Sequence, residues 1–181
     1  MKSSKMKSDP KIRLRAALLG MFAATLMSGC AGYQLGPTNG AYAGAKSIRV
    51  NFFENKTDEP RLIVYVNNSL RKTLQQDGTY TLSTRGAADI VVNGTITQYI
   101  RSPLTFQPGD AITARDYRIH LTAHVTAIDA HSGKVLLDRE VTGRTTIRVG
   151  ADLGSAERQA APLLAEDLAR NTSALLTEGS W

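Results

Sequence analysis

The segment Tyr117–Asp129 alternates strictly between apolar and polar side chains. Its apolar positions are Tyr117, Ile119, Leu121, Ala123, Val125 and Ala127. Because successive residues of a β-strand point to opposite faces of the sheet, this pattern predicts a strand with one apolar and one polar face. Such a strand is typical of an antiparallel sheet that is covered on one side only.

Four other segments predict strands, and the sequence also predicts a hairpin turn and a longer loop between strands. Asp129–Lys134 predicts a hairpin turn leading into a partner strand. The predicted strands are 47–53, 80–84, 90–101 and 135–149. Within 90–101, we expect Ile96 and Ile100 to share the apolar face. The segment 102–115 holds two prolines and a glycine, and therefore predicts a loop.

Two helices complete the predicted order of elements. Leu62, Val66, Leu70 and Leu74 recur every four residues and predict one amphipathic helix. We expect Thr57 or Asp58 to cap its start, Pro60 to lie in its first turn and Gly78 to end it. A second helix is predicted after Asp152, with Ser155 as its cap and an apolar stripe. That stripe comprises Ala161, Leu164, Leu168, Leu175 and Leu176.

These elements predict an α+β fold. The expected architecture is a two-layer sandwich, in which two helices pack on one face of a mostly antiparallel sheet of four to five strands. Residues 30–181 number 152 of the 181 residues, a length that suits a single domain.

The first 29 residues have the pattern of a secretory signal. Six basic residues and one acid precede an apolar run at 16–27, and small residues follow it. The run is too short to span a bilayer, which needs roughly 20 helical residues. A retained single-pass anchor is the weaker interpretation. We therefore predict a signal peptide at 1–29.

Cys30 is the only cysteine, so a disulfide within the chain and a cysteine metal cluster are excluded. The segment Leu26-Met-Ser-Gly-Cys30 resembles the lipobox of bacterial lipoproteins, with Met27 where leucine is usual. That resemblance implies cleavage before Cys30 and acylation of this residue, which would anchor the protein in a membrane. The Gly-rich residues 30–45 then form a tether, and residues 46–181 form a periplasmic domain.

The net charge belongs mainly to the leader. The whole chain has 22 Lys and Arg against 16 Asp and Glu, a net charge of +6. Without the six bases and one acid of the leader, 16 bases stand against 15 acids. This balance does not favour binding to nucleic acid.

No combination of residues predicts catalysis, a cofactor or a metal. His120 and His124 share one face of the predicted strand, but each residue advances ~3.3 Å, so they lie about 13 Å apart. They cannot hold one ion. No Ser, His and Asp arrangement and no carboxylate pair stands out, so we do not predict an enzyme.

The predicted loop and its flanks carry the candidate binding residues. Arg101, Arg115 and Arg118 surround an apolar stretch that includes Phe106. Guanidinium groups bind phosphate well, and apolar side chains can contact acyl chains. These four residues are therefore candidates for contact with an anionic lipid. The alternative is a solvated loop whose apolar residues fold back on the sheet.

Several segments together resemble the lipopolysaccharide-assembly lipoproteins, the LptE family. They are Cys30–Gly36, Ile48–Thr57, Ala88–Gly94, Tyr117–Ala123, Gly133–Leu137 and the helix starting near Ala156. The resemblance covers nearly all of the chain after the leader.

The resemblance implies a function and partners. LptE-like proteins lie as a plug inside the large outer-membrane β-barrel translocon (LptD-like), assist its assembly and contact lipopolysaccharide. Enterobacterial members use basic residues near the loop between the third and fourth strands. Gln107 stands where such a base is expected, so the three arginines are replacement candidates. Ala31 after the cysteine favours sorting to the outer membrane.

Two other classes remain open. One is a lipoprotein interaction module that activates a cell-wall synthase or serves a secretion channel. The short tether favours a partner near the membrane over one across the cell wall. The other is an enzyme, which would show a cleft with convergent ionisable groups of shifted pKa.

Overall fold

The computed structural model describes residues 46–150 and 152–178, except for the side chain of Ala111. In chain order the elements are β1 (Ser47–Val50), β2 (Glu54–Asn55), α1 (Leu62–Asp77), β3 (Thr81–Leu82), β4 (Ile90–Gln107), β5 (Asp110–Asp129), β6 (Val135–Arg148) and α2 (Leu153–Glu178). The predicted leader and tether, with Cys30, lie outside the described residues. Those predictions stay predictions.

The strands form one mixed sheet of six strands in the order β3–β1–β4–β5–β6, with β2 also paired to β4. Strand β1 runs parallel to β3 and β4, and β2 runs parallel to β4. Strands β4, β5 and β6 are antiparallel. The α+β class is confirmed, but a mostly antiparallel sheet of four to five strands is wrong. Helix α1 returns the chain to its starting end, so β3 must run parallel to β1.

Helix α1 buries the predicted stripe of Leu62, Val66, Leu70 and Leu74. It ends as predicted at Gly78, whose φ of 72° is the left-handed conformation that glycine adopts without strain. Its start differs from the prediction, because neither Thr57 nor Asp58 caps it. Those side chains belong to the preceding turn, in which the Thr57 hydroxyl donates to Asn55 at 2.8 Å.

The residue that caps helix α2 lies three positions before Ser155, the predicted cap. The Asp152 carboxylate accepts a hydrogen bond from the Ser155 backbone N–H at 2.7 Å. Asp152 is therefore the capping residue and Ser155 lies inside the helix. The hydrogen bonds from Ser155 lower the pKa of the Asp152 carboxyl.

The hydrophobic core lies between the sheet and the two helices. The predicted inward residues of β5 from Ile119 to Ala127 are all buried. The largest fully buried side chains are Phe53, Ile48, Leu70, Leu74, Ile90, Ile96, Ile119, Leu121, Leu164, Leu168, Leu176 and Val66. Burial of one such side chain stabilises the fold by roughly 1.5–3 kcal/mol. Neither described helix is long and apolar enough to cross a membrane.

Two glycines allow unusually close packing in this core. A Cβ atom at Gly143 of β6 would lie 2.5 Å from the backbone nitrogen of Leu168 and 2.8 Å from the carbonyl oxygen of Leu164. A Cβ atom at Gly94 of β4 would lie 2.2 Å from the Phe53 ring. Helix α2 thus packs on strand backbone, whereas Gly94 accommodates an aromatic side chain.

A bulge at Thr97 reverses the faces of β4. The register against β5 slips by one residue between Ile96 and Gln98. One extra residue exchanges inward and outward positions. Tyr99 therefore packs against the core, while Ile100, predicted to share a face with Ile96, is exposed.

Helix α2 also covers part of the outer edge of β6, the last strand of the sheet. The Asp167 carboxylate accepts a hydrogen bond from the backbone N–H of Arg144 at 2.9 Å. The Asn171 amide donates to the carbonyl oxygen of Thr142 at 2.8 Å. Unpaired backbone groups at a sheet edge can pair with a strand of another chain. The side chains of Asp167 and Asn171 occupy such groups in the middle of the β6 edge.

Candidate functional site

The segment 102–115, predicted as a loop, is instead the far end of the long β-hairpin that β4 and β5 form. Strand β4 continues to Gln107 and β5 begins at Asp110, so the connection is the tight turn Pro108-Gly109. Gly109 has the positive φ of 81° that such a turn requires. We call residues 102–115 the hairpin arm. Pairing with β6 ends at Asp116, so among the described strands only β4 and β5 continue into the arm.

The tip of the hairpin arm is held by Asp110. Its carboxylate accepts hydrogen bonds from the backbone N–H groups of Ile112 at 2.8 Å and Thr113 at 3.1 Å. The hydrogen bonds from Thr113, then Ile112, lower the pKa of the Asp110 carboxyl. These hydrogen bonds link Asp110 to the two residues that follow Ala111 at the tip.

The hairpin arm exposes apolar side chains. Phe106 is 46% and Ile112 is 91% exposed, and Leu104 is also exposed. No described side chain between 102 and 115 is buried. The apolar residues therefore do not fold back on the sheet, and they leave an apolar surface available for contact.

Arg101 lies at the base of the arm, on the face of the sheet that carries the helices. Its Nε atom is 3.1 Å from a carboxylate oxygen of Glu157, and Nη2 is 3.9 Å from Glu59. Its guanidinium also lies 5.6 Å from the centroid of the Tyr99 ring. Burial, with the nearby Glu157 charge, raises the pKa of Tyr99. The charge of Arg101 is therefore matched within the protein.

Arg115 belongs to a polar cluster around Asp116 at the root of the arm. One Asp116 oxygen accepts from Arg148 Nε at 2.8 Å, and the other accepts from Arg115 Nε at 3.2 Å. The Thr105 hydroxyl of β4 donates to the same carboxylate. The hydrogen bonds from Thr105 and then Arg148 lower the pKa of Asp116 to about 2. This cluster joins β4, β5 and β6 where the arm begins.

We expect the Asp116 cluster to give a pH-dependent contribution to stability. The pKa of Asp116 falls from 3.8 to about 2 in the folded chain. A lowered carboxyl pKa stabilises the fold above pH ~4, and this contribution is lost as the pH falls through about 2. The gap in urea midpoint between the wild type and Asp116→Asn should therefore narrow from pH 5 to pH 2. A gap that stays constant over this range would contradict the assignment.

Arg118 lies on the uncovered face of the sheet, next to two basic residues that the sequence did not single out. His120 follows it on the same face, and Arg144 of β6 stands directly opposite His120. Among the described residues, no carboxylate forms an ion pair with any of the three. We call Arg118, His120 and Arg144 the basic patch. Only the register of β6 against β5 brings Arg144 there.

The structure thus separates the four candidates. Arg101 and Arg115 are held in ion pairs, whereas Phe106 and Arg118 are exposed. Ser102 of the arm stands opposite Arg118, so the basic patch adjoins the hairpin arm. His124, predicted not to share an ion with His120, instead pairs with Asp138 at 3.0 Å. In residues 46–150 and 152–178, no group of three metal-ligating side chains is found.

Comparison with known proteins gives a family and a fold. A family model described as LptE, lipopolysaccharide-assembly, matches residues 45–172. No curated protein matches the chain by sequence.

Several solved structures share the fold. A hypothetical protein from Chlamydia trachomatis is 10% identical with a TM-score of 0.54, over 74% of this chain and 96% of that one. A protein from Xanthomonas campestris is 9% identical with a TM-score of 0.54, over 81% and 91%. Uncharacterized lipoprotein B from Nitrosomonas europaea is 11% identical with a TM-score of 0.50, over 81% and 90%. At such identities the similarity is one of fold alone.

Proposed function

The chain belongs to the LptE family of lipopolysaccharide-assembly proteins, and from this premise we propose that it serves lipopolysaccharide insertion at the cell surface. It acts as an outer-membrane lipoprotein, anchored through acylated Cys30, with its folded domain on the periplasmic side. Its partner is a large β-barrel translocon (LptD-like), in which the domain lies as a plug and whose assembly it assists. The role is one of binding and positioning, without catalysis.

The observation that carries this proposal is the pairing of the hairpin arm with the basic patch. Lipopolysaccharide combines acyl chains with phosphate groups, so a contact surface needs apolar and cationic parts side by side. The arm offers exposed Phe106 and Ile112, and the adjoining patch offers Arg118 and Arg144. Neither guanidinium group forms an ion pair among the described residues, so both are available to phosphate.

Two double variants separate the apolar part from the cationic part. Phe106→Ser/Ile112→Ser removes exposed apolar surface, and Arg118→Gln/Arg144→Gln removes two charges. We expect each to weaken lipopolysaccharide binding by the full chain about tenfold, which corresponds to ~1.4 kcal/mol. Affinity should be measured by titration in nonionic detergent.

Matched controls lie elsewhere on the surface. Val64→Ser/Leu163→Ser removes two exposed apolar side chains from the helices, and Arg139→Gln removes an exposed charge from β6. These variants should bind like the wild type. Equal losses in the test and control variants would show that the arm and the patch are not the contact surface.

The proposed partner is tested separately. The full chain, tagged at its C-terminus, is used to pull down proteins from solubilised outer membranes. Recovery of a large β-barrel in stoichiometric amount supports the plug. Recovery of a cell-wall synthase or a secretion channel instead would contradict the barrel assignment and favour the interaction-module alternative.

A further inference from the structure

A second basic site lies near the edge of the sheet that is opposite to β6, where β3 and β1 are the last two strands. A cavity of about 300 Å³ opens there. We call it the β1–β3 cavity. Its polar and aromatic lining comprises Arg49, Asn51, Phe52, Arg71, Ser83 and Thr84. Within the described part of the chain, the lining thus contains two arginines and no acidic residue.

Arg49 has one guanidinium donor that is left without a partner among the described residues. Its Nη1 atom donates to the carbonyl oxygen of Gly86 at 2.8 Å. Its Nε atom is buried and has no hydrogen-bond partner in residues 46–150 and 152–178. Nε and Nη2 form the side of a guanidinium that matches two oxygen atoms of one anion. A buried donor without a partner is costly, and a bound anion that draws the side chain toward it would remove this cost.

Arg71 supplies a second, positioned cation. One of its nitrogens donates to the carbonyl oxygen of Val50 at 3.1 Å. Its guanidinium carbon lies 4.7 Å from the centroid of the Phe52 ring. Phe52 is 73% exposed, so the ring forms a wall of the cavity and does not belong to the core. Two hydrogen-bonded or stacked arginines facing one cavity give it a fixed positive charge.

We propose that the β1–β3 cavity binds a phosphate group. Two guanidinium groups on different elements line the cavity, together with Thr84, so donors can approach one ligand from more than one direction. That arrangement suits a tetrahedral anion, whereas a carboxylate is satisfied by a single planar fork. The phosphate is that of a sugar or lipid headgroup or a free phosphate ion. The proposal does not depend on the hairpin arm or on the function proposed above.

The test uses the full-length chain in nonionic detergent, with ¹⁵N-labelled arginine. The Nε–Hε signal of Arg49 is assigned by its loss in Arg49→Lys, and inorganic phosphate is then titrated in. We expect a saturable shift of this signal, with an affinity at least tenfold lower in Arg71→Gln. Arg139→Gln and Arg118→Gln/Arg144→Gln should leave the shift unchanged, which distinguishes this site from the basic patch.

A second titration with glucosamine 1-phosphate distinguishes the sources. Tighter binding than inorganic phosphate supports a headgroup, and equal or weaker binding supports the free ion. The absence of a saturable shift overturns the proposal, as does a shift that Arg71→Gln does not weaken. Equally tight binding of acetate also overturns it, because the site would then recognise a carboxylate of a protein partner.

Discussion

Replacement of Gly143 by alanine is expected to destabilise the folded chain by about 3 kcal/mol, at the upper end of the range for overpacked cores. The added Cβ would lie 2.5 Å from the backbone nitrogen of Leu168, a distance that real Cβ atoms essentially never show. A side chain could rotate away, but backbone atoms in the middle of α2 cannot. Relief therefore requires α2 to lift from β6, which loosens the burial of Leu164 and Leu168.

Urea unfolding of the full chain, followed by circular dichroism, measures this loss. In thermal unfolding, the melting temperature should fall by about 3 °C for each kcal/mol of lost stability in a domain of this size. Gly150→Ala is the matched control, because a Cβ there meets nothing within 4 Å. If the two variants are equally stable, α2 does not pack on β6 as closely as described.

The replacement Gly94→Ala is the second change with a large expected effect. Here the new Cβ would lie 2.2 Å from the nearest atom of the Phe53 ring, which is 1% exposed. The Phe53 backbone N–H is held by the Asn67 side chain at 3.1 Å, so the ring cannot move out with its backbone. We expect a loss of roughly 2–3 kcal/mol.

A double-mutant cycle identifies the cause. Because leucine is shorter than phenylalanine, Phe53→Leu should make room for the methyl group of Gly94→Ala. The double variant should then be more stable than the sum of the two single losses by about 2 kcal/mol. Additive losses would mean that the cost of Gly94→Ala arises from contacts other than the Phe53 ring.

Alternation and helical periodicity were sufficient to predict most of the fold. They predicted both helices, the inward face of β5 and the β5–β6 hairpin, because each depends on residues near one another in sequence. The direction of the short strands was not predictable in the same way. Strands β1 and β3 contribute four and two residues, and their parallel pairing follows from the path of α1.

The hairpin arm was mispredicted because Pro103, Pro108 and Gly109 are typical of loops. Pro103 is compatible with a strand here because β4 has a partner on only one side at that point. Pro108 and Gly109 form a tight turn. The bulge at Thr97 was likewise invisible, since one extra residue leaves no compositional signal.

The candidate site was only partly predictable for a related reason. A sequence shows that an arginine is present but not whether an acid neutralises it. Arg101 pairs with Glu157 from a helix 56 positions later, and Arg144 comes to lie opposite His120, near Arg118, only through strand register. The exposed Phe106 and Arg118 were identified from composition, whereas the basic patch required the sheet.

Because α2 follows β6 in the chain, the β6 edge stays uncovered for part of the time during synthesis. A chain that emerges from its N-terminus completes β6 at Arg148 before Asp167 and Asn171 follow. For that interval the backbone of Thr142 and Arg144 lies open to any neighbouring strand. The risk of pairing with another chain therefore depends on how soon the last helix docks, and a holding chaperone is most useful until it does.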